Sequence, residues 1–419
     1  MKILWMNFGG LLPLDMGGKI RSSHIVRELA RRHKVTLFTF YPKIIPDPHH
    51  CLGAPFERVE LLPLDLPEVA SLPDMLAYAA NALTSRPYQI TRHCPPQVGR
   101  RLRELLHDKN YDVVVCDFLL TASVMHWESH VPTVIFAHNV EGVIWRRRFL
   151  MDKRPLWRLV ALREWRAMAR AERHYTKLAN HILTVSEEDR RAFVEYLPSE
   201  KVTAVPTGVD LEYFRPVQAV RQSDTLVFTG MMDWMPNEDA ILYFYSKILP
   251  IVRQRLPAVR LRVVGRNPSK KILALKEMDP GLEVTGTVDD IRPYVRDAAV
   301  YVVPLRIGGG TRIKIFEAMA MGMPIVSTTI GAEGLPVEHD RNILLADTPA
   351  SFADATVMLL TQPMARQRIG NAARGLVEKR YDWTAVTDVV DETLIRVAAA
   401  GETRQKRVSF AGESYGTVD

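Results

Sequence analysis

Residues 304–327 read PLRIGGGTRIKIFEAMAMGMPIVS, and this stretch decides the fold. The apolar run YVVP ends just before Gly308, Gly309 and Gly310, a helical pattern opens near Thr311, and a second short apolar run follows at 325–327. Strand, glycine loop, helix and strand in that order make a βαβ unit of a parallel sheet. Three glycines let backbone N–H groups come close to a ligand, and the helix N-terminus adds positive potential. Arg312 and Lys314 then put two cations in the first helical turn, where the macrodipole disfavours them by about 0.3–1 kcal/mol unless an anion answers them. A diphosphate would do so. Glu317 lies one turn on, placed to accept hydrogen bonds from ribose hydroxyls; the competing account is a helix face making ordinary i,i+3 pairs.

Outward from this unit, short apolar runs alternate with longer amphipathic segments, the pattern of an α/β chain with parallel sheets. Strands are expected at 3–7, 35–40, 113–117, 133–137, 182–185 and 202–205. A second series is expected at 225–229, 260–264, 282–285, 300–303, 325–327 and 343–345. Helical patterns separate them, among them 19–32, 237–255 and 312–321. The run PTGVDLEYFRP, with Pro at both ends, breaks the two series. Two doubly wound, Rossmann-like domains are therefore expected, at 1–207 and 208–382, with a linker at 206–216. A helix over 383–400 should cross back to the first domain, and 401–419 should form a disordered tail. Two such domains facing each other would enclose a cleft at the carboxyl ends of their strands, where open α/β sheets bind ligands.

Composition removes several classes. Of 419 residues, 47% are hydrophobic and 25% charged, which excludes collagen-like, disordered and disulfide-scaffold chains. Cys51, Cys94 and Cys116 are widely spaced and form no CxxC pair, against a disulfide framework or a zinc site. No apolar run reaches the ~18 residues that span a bilayer, and MKILWMNFGG lacks the length and cleavage site of a signal peptide, so a cytoplasmic protein is expected. The glycine pairs of NFGGLLPLDMGG are too far apart for a GxGxxG dinucleotide fingerprint. No RRM, KH or zinc-finger signature is present, and no nucleic-acid partner is expected.

GGGTRIKIFEAMAMGMPIVST at 308–328, TVSEED at 184–189 and VPTGVDLEYFRP at 205–216 resemble glycosyltransferase family 4. The opening NFGGLLPLDMGGKIRSSHIVRELARRHKVTLFTF is similar to the family's acceptor domain, and the resemblance covers about residues 1–400. It implies a GT-B fold, a retaining mechanism and a nucleoside-diphosphate sugar donor. The GGGTR-K variant further resembles sugar transferases of bacterial exopolysaccharide clusters. Two departures stand out. Many members carry an E-x7-E motif; Glu317 matches its second Glu, but Gly309 stands at the first. Members often carry an Arg and a Lys after the donor domain's first strand, where GMMDWMPNED here puts Met231 and Asn237 beyond Gly230. Arg312 and Lys314 read as relocated replacements for those cations.

The resemblance extends the site. Gly18, of the Gly17–Gly18 pair, should approach the donor phosphates from the first domain, with Lys19 and Arg21 nearby. His138, at the end of the run TVIFA, should contact the transferred sugar, with Asn139 and Glu141 as acceptor-site candidates. Donor contacts are expected from Gly309, Gly310, Thr311, Glu317, Gly230 and Asn237, and the nucleobase should lie near Gly265, Arg266 and Val288. Catalysis falls to His138, Arg312 and Lys314. No Asp-x-Asp motif sits near a strand end, and Asp289-Asp290 reads as a helix cap, so no metal and no cofactor beyond the donor substrate are expected. Retention is expected by same-face substitution, since a double displacement needs a carboxylate nucleophile. Competing readings are a nucleotide-sugar epimerase of the same architecture, which needs no acceptor, and a non-catalytic nucleotide-sugar-binding protein, which turns nothing over.

The net charge of +7 has an address. Residues 144–177 hold eleven Lys/Arg against three Asp/Glu, so the rest of the chain is close to neutral. Arg163, Arg166, Arg170, Arg173 and Lys177 recur at helical spacing opposite Trp165, Met168 and Tyr175. Such a segment either packs as a solvated helix or lies on an anionic membrane. The second case would make the protein peripheral on the inner face of the cytoplasmic membrane, with a lipid-linked acceptor.

Overall fold

The structure is a computed structural model. It describes residues 1–14, 17–44, 55–108, 110–129, 131–152, 154–216, 222–307 and 313–413. The chain divides into two compact units, Met1–Pro206 with Val386–Asp419, and Thr207–Ala385.

The first unit holds seven strands: β1 (Lys2–Phe8), β2 (Lys34–Pro42), β3 (Arg58–Leu64), β4 (Val113–Asp117), β5 (Thr133–Ala137), β6 (His181–Thr184) and β7 (Val202–Ala204). They form one parallel sheet in the order β3-β2-β1-β4-β5-β6-β7. VVVCD and TVIFA, in β4 and β5, are buried throughout, which is why they read as unbroken apolar runs. Sequence periodicity missed β3. It is an edge strand whose Val59 and Leu61 are exposed and whose Pro63 cannot donate to a ladder, and an edge tolerates both.

Helix α1 (Gly17–Arg32) follows β1, and α2 (Leu72–Ala82) follows β3. Helices α3 (Glu141–Met151) and α4 (Pro155–Leu178) form a hairpin between β5 and β6. The carboxylate of Glu172 in α4 binds the start of α3, accepting from Glu141 N at 2.7 Å and Gly142 N at 3.3 Å. Burial pushes Glu172 up to about 7 despite those two donors.

The second unit has six parallel strands: β8 (Gln222–Thr229), β9 (Arg260–Val264), β10 (Leu282–Val284), β11 (Ala298–Val303), β12 (Ile325–Ser327) and β13 (Leu344–Leu345). Their order is β10-β9-β8-β11-β12-β13. Helix α5 (Met235–Tyr243) follows β8, and α6 (Ile313–Ala320) lies between β11 and β12. The single helix expected over 237–255 is three pieces: α5, a π-helical turn at Phe244–Ile248, and a helix at Leu249–Arg255. Pro250 explains the break, because its ring clashes with the carbonyl four residues back and it has no N–H to give.

Helix α7 runs from Trp383 to Glu413. The disordered tail expected from Gly401 is not what the backbone does over 401–413, where GETRQKRVSFAGE has no Pro to stop a helix and only two Gly. Arg32 and His33 of the first unit fasten α7 through Asp388 and Asp391, at 2.5 and 2.6 Å. Among the described residues no helix is long and apolar enough to cross a membrane.

Candidate functional site

Each sheet reverses its winding between two neighbouring strands, β1 and β4 in the first unit, β8 and β11 in the second. At such a switch point the loops leave in opposite directions and open a crevice at the strands' carboxyl ends. Gly230 lies at one of these switch strands, and Gly265, Val288 and His138 follow the carboxyl ends of the neighbouring strands β9, β10 and β5.

In the second unit, Thr229 of β8 runs straight into Gly230, whose φ of +154° suits glycine. A Cβ there would lie 2.7 Å from Asn237 Nδ2 and 2.8 Å from Lys314 Nζ. The absent side chain thus lets both groups close on the backbone. Lys314 Nζ donates to Asn237 Oδ1 at 2.9 Å and sits 4.2 Å from the centroid of the Phe228 ring. Asn237 Nδ2 donates to Met231 O at 2.8 Å, which fixes the amide so that its oxygen faces the ammonium. Gly265, after β9, is pressed against Gly230: a Cβ on it would come 1.7 Å from the Gly230 oxygen. Val288 is half-buried against the core of this unit.

Glu317 lies one turn along α6 from Lys314 and is half-buried. Burial pushes its carboxyl up to about 7, and the ammonium of Lys314 acts against that. Among the described residues its carboxylate makes no hydrogen bond or ion pair, while its backbone carbonyl accepts from Met321 N at 3.1 Å. Nearby, Thr229 Oγ1 and Tyr301 Oη share a buried hydrogen bond of 2.5 Å. Arg266, after β9, donates to Met231 Sδ at 3.3 Å. Positions 231 and 237, which carry no cation themselves, are therefore each attended by one from elsewhere. Sequence reasoning found Lys314 but read Arg266 only as part of a nucleobase loop. Gly309, Gly310, Thr311 and Arg312 lie outside the described residues. Asp290 Oδ1 accepts from the backbone of Arg292 at 2.9 Å, but the helix over Arg292–Arg296 has Ile291 as its N-cap with no side-chain cap bond, so the cap expected of Asp289-Asp290 does not form.

In the first unit the centre is a residue the sequence reading passed over. Asp117 closes β4 with no exposed surface and gathers four donors. Asn7 Nδ2 reaches Oδ2 at 2.7 Å and Trp5 Nε1 at 3.2 Å; Ser22 Oγ reaches Oδ1 at 2.9 Å and His138 Nε2 at 2.7 Å. His138, at the end of β5, stacks on Phe118 with ring centroids 4.0 Å apart. Phe118 holds that place with a φ of +73°. Arg21 Nη1 lies 3.5 Å from His138 Nδ1. A guanidinium can only donate, so the contact fits a tautomer with the proton on Nε2, shared with Asp117, and the lone pair on Nδ1. Burial holds the imidazole below its usual range; Asp117 opposes this and Arg21 adds to it. Burial also pulls Arg21 itself down to about 10, against Asp189 and Asp117.

Gly18 belongs to this centre. A Cβ there would meet Phe118 Cζ at 2.7 Å and His138 Nδ1 at 3.6 Å. Lys19 turns to Leu12 O at 3.2 Å. Asn139 is exposed beside His138; Glu141, at the start of α3, is raised by burial, an effect its hydrogen bond to Asn139 opposes. Among the described residues no three His, Cys, Asp or Glu side chains converge as metal ligands.

Comparison with known proteins bears on family and fold. Residues 17–213 match the family model Glycosyltransferase Family 4, and residues 223–362 match Glycosyl transferases group 1. A phosphatidyl-myo-inositol mannosyltransferase of Mycobacterium tuberculosis is 29% identical over 232 residues, 52% of this chain and 60% of that protein. The match thus spans under two thirds of that relative's length. A 44.6 kDa protein in the cps region of Klebsiella pneumoniae is 21% identical over 67% of this chain and 74% of its own. Among solved structures, sucrose-phosphate synthase from Thermosynechococcus elongatus superposes with a TM-score of 0.67 at 18% identity, covering 96% of this chain and 100% of that one.

Proposed function

The chain belongs to glycosyltransferase family 4 and has the α/β GT-B architecture, and we propose that it moves a hexose-type sugar from a nucleoside-diphosphate sugar to a glycan or lipid-linked acceptor, with retention at the anomeric carbon, in cell-surface polysaccharide synthesis. The observation that carries this reading is Lys314 Nζ, held by Asn237 at the carboxyl end of β8 where Gly230 leaves the backbone bare. A cation seated at a strand end beside a topological switch point suits a diphosphate.

The roles follow from the chemistry. Lys314 and Arg266 meet the charge that grows on the leaving diphosphate, joined by Arg312 and the N–H groups of Gly309, Gly310 and Thr311. Preorganised donors of this kind contribute about 3–4 kcal/mol each to the transition state. No metal is then required. Glu317 accepts from the ribose hydroxyls. The acceptor oxygen attacks on the face from which the diphosphate departs; the new C–O bond forms as the anomeric C–O bond breaks, and the acceptor's proton passes to a phosphate oxygen of the leaving group. His138, kept neutral with its lone pair on Nδ1, is assigned to a hydroxyl of the transferred sugar, with Asn139 and Glu141 toward the acceptor.

Mannose is the first sugar to try, because the mycobacterial relative is named for it. The Klebsiella relative's place in a cps region supports a surface polysaccharide. The arginine-rich segment 144–177 supports a peripheral position on the inner face of the cytoplasmic membrane. The test is nucleoside diphosphate release from a panel of GDP, UDP and ADP sugars, with and without a membrane-lipid extract as acceptor. Release that needs both donor and acceptor is expected. Conversion of the donor without acceptor would indicate an epimerase, and binding without turnover a sugar-nucleotide receptor.

A further inference from the structure

Helix α2 is built inside out. Its buried residues are Asp74 and Asn81, whereas Leu72, Met75 and Leu76 are 61–69% exposed and Leu83, just past its end, is 92% exposed. Folded chains rarely bury a carboxylate and an amide while leaving large aliphatic side chains in water. The orientation is nonetheless fixed. Asp74 accepts from Tyr88 Oη at 2.6 Å and from Ala70 N at 2.9 Å, with Arg92 Nε 3.2 Å away. Asn81 Nδ2 donates to Arg86 O at 3.0 Å. A rotation that hid the leucines would break every one of these bonds.

The end of α2 is tied to α4 by one side chain. Arg163 Nη2 donates to the carbonyls of Asn81 at 2.6 Å and of Thr84 and Arg86 at 3.0 Å. Leu159, one turn before Arg163, is 63% exposed, and Leu150, Met151 and Leu156 at the α3–α4 turn are 62–70% exposed. The cations interleaved with them are Arg146, Arg147, Arg148, Arg154 and Arg158, all exposed. Asp152, the acid of that turn, is already paired with Arg154 at 2.9 Å. Arg154 and Arg158 lie over the rings of Trp157 and Phe149, at 5.5 and 5.0 Å.

We propose that the outer face of α2 and the α3–α4 turn form one docking surface that inserts into the interfacial region of an anionic phospholipid bilayer. Water does not favour so many aliphatic side chains on fixed helices, and the exposed charge of the α3–α4 turn is mainly arginine. An apolar face edged by arginines and an aromatic ring matches the headgroup–acyl boundary of an anionic leaflet. The inference rests on the membrane reading of the basic segment. It goes further in assigning insertion to α2, which carries no basic residue.

Flotation of the full chain with phosphatidylcholine vesicles, with and without phosphatidylglycerol, tests it at low and high salt. The variants are Leu72→Ser/Leu76→Ser and Arg146→Gln/Arg158→Gln, all at exposed positions, with circular dichroism as the check on folding. The wild type should float with the anionic vesicles, and both variants should bind about tenfold more weakly or worse. Anionic-vesicle binding that the serine pair leaves unchanged would overturn α2 insertion while sparing the membrane reading. No wild-type binding at low salt would overturn both. Self-association that the serine pair abolishes, without vesicle binding, would make the face a contact between copies and overturn the proposal as well.

Discussion

The ammonium of Lys314 lies 2.9 Å from Asn237 Oδ1, and Asn237 occupies the position where the family resemblance puts a lysine. A cation supplied from the start of α6 therefore ends beside residue 237 at the end of β8. If the two positions share one task, they should exchange it. Lys314→Ala is expected to lower kcat by about 100–1000-fold, and adding Asn237→Lys to it should recover part of the loss. In the wild-type background Asn237→Lys should impair turnover, because two ammonium groups would then crowd one site. Steady-state kinetics on the four proteins checks this; a double variant no better than Lys314→Ala would mean that the two side chains do not substitute for each other.

Gly230 gives a steric prediction. A methyl group there would meet Lys314 Nζ and Asn237 Nδ2 under 3 Å, on a backbone of positive φ. Gly230→Ala should weaken donor binding about tenfold or more by pushing the cation off its seat, with a loss of stability on the order of 1 kcal/mol from the strained backbone. Calorimetric titration with the donor's nucleoside diphosphate separates these effects from a general loss of folding.

Asp117 touches His138 but is buried away from solvent, so it acts by positioning. Asp117→Asn offers an amide that can donate where the carboxylate could only accept, and the imidazole should then move its proton to Nδ1, against Arg21. The expected result is a fall in kcat of about 100-fold or more with little change in donor affinity. Nitrogen NMR of the histidine ring reports the tautomer directly, and an unchanged Nε2–H form would remove this explanation for any kinetic loss.

Two buried groups of the first unit set opposite limits on stability. Burial pulls His181, bonded to Thr203, down to about 4, with Arg396 and Lys201 adding to the effect. The unfolded chain thus takes up a proton near 6.5 that the folded one refuses, so stability is lost as the pH falls from 6.5 through 4, by about 3 kcal/mol at most. Glu172 is raised instead to about 7, and its contribution is lost as the pH rises from 4.5 through 7. Urea unfolding across pH should show a flatter acid side in His181→Gln and a flatter neutral side in Glu172→Gln.

Much of this was readable from local pattern. Buried parallel strands such as β4, β5 and β11 are continuous apolar runs, and Lys314 announces itself by standing in a helical turn that disfavours cations. Asp117 gave no such sign, because its donors at positions 5, 7, 22 and 138 meet only after three strands and a helix assemble. Arg266 came to Met231 by the adjacency of β8 and β9, which is also a tertiary fact. The edge strand β3 and the inverted α2 were hidden for a related reason. Both depart from the rule that apolar residues point inward, and periodicity can detect only chains that obey it.

A diphosphate-bearing sugar donor held at Lys314 and consumed by transfer to an acceptor should leave a kinetic signature at that side chain. The most direct measurement is the rate of nucleoside diphosphate release from GDP-mannose and UDP-glucose, with and without acceptor lipid, for the wild type and Lys314→Ala. Acceptor-dependent release by the wild type from one of these donors is expected, with a fall of about 100-fold or more in the variant. Equal rates in the two proteins, or release that ignores the acceptor, would contradict it.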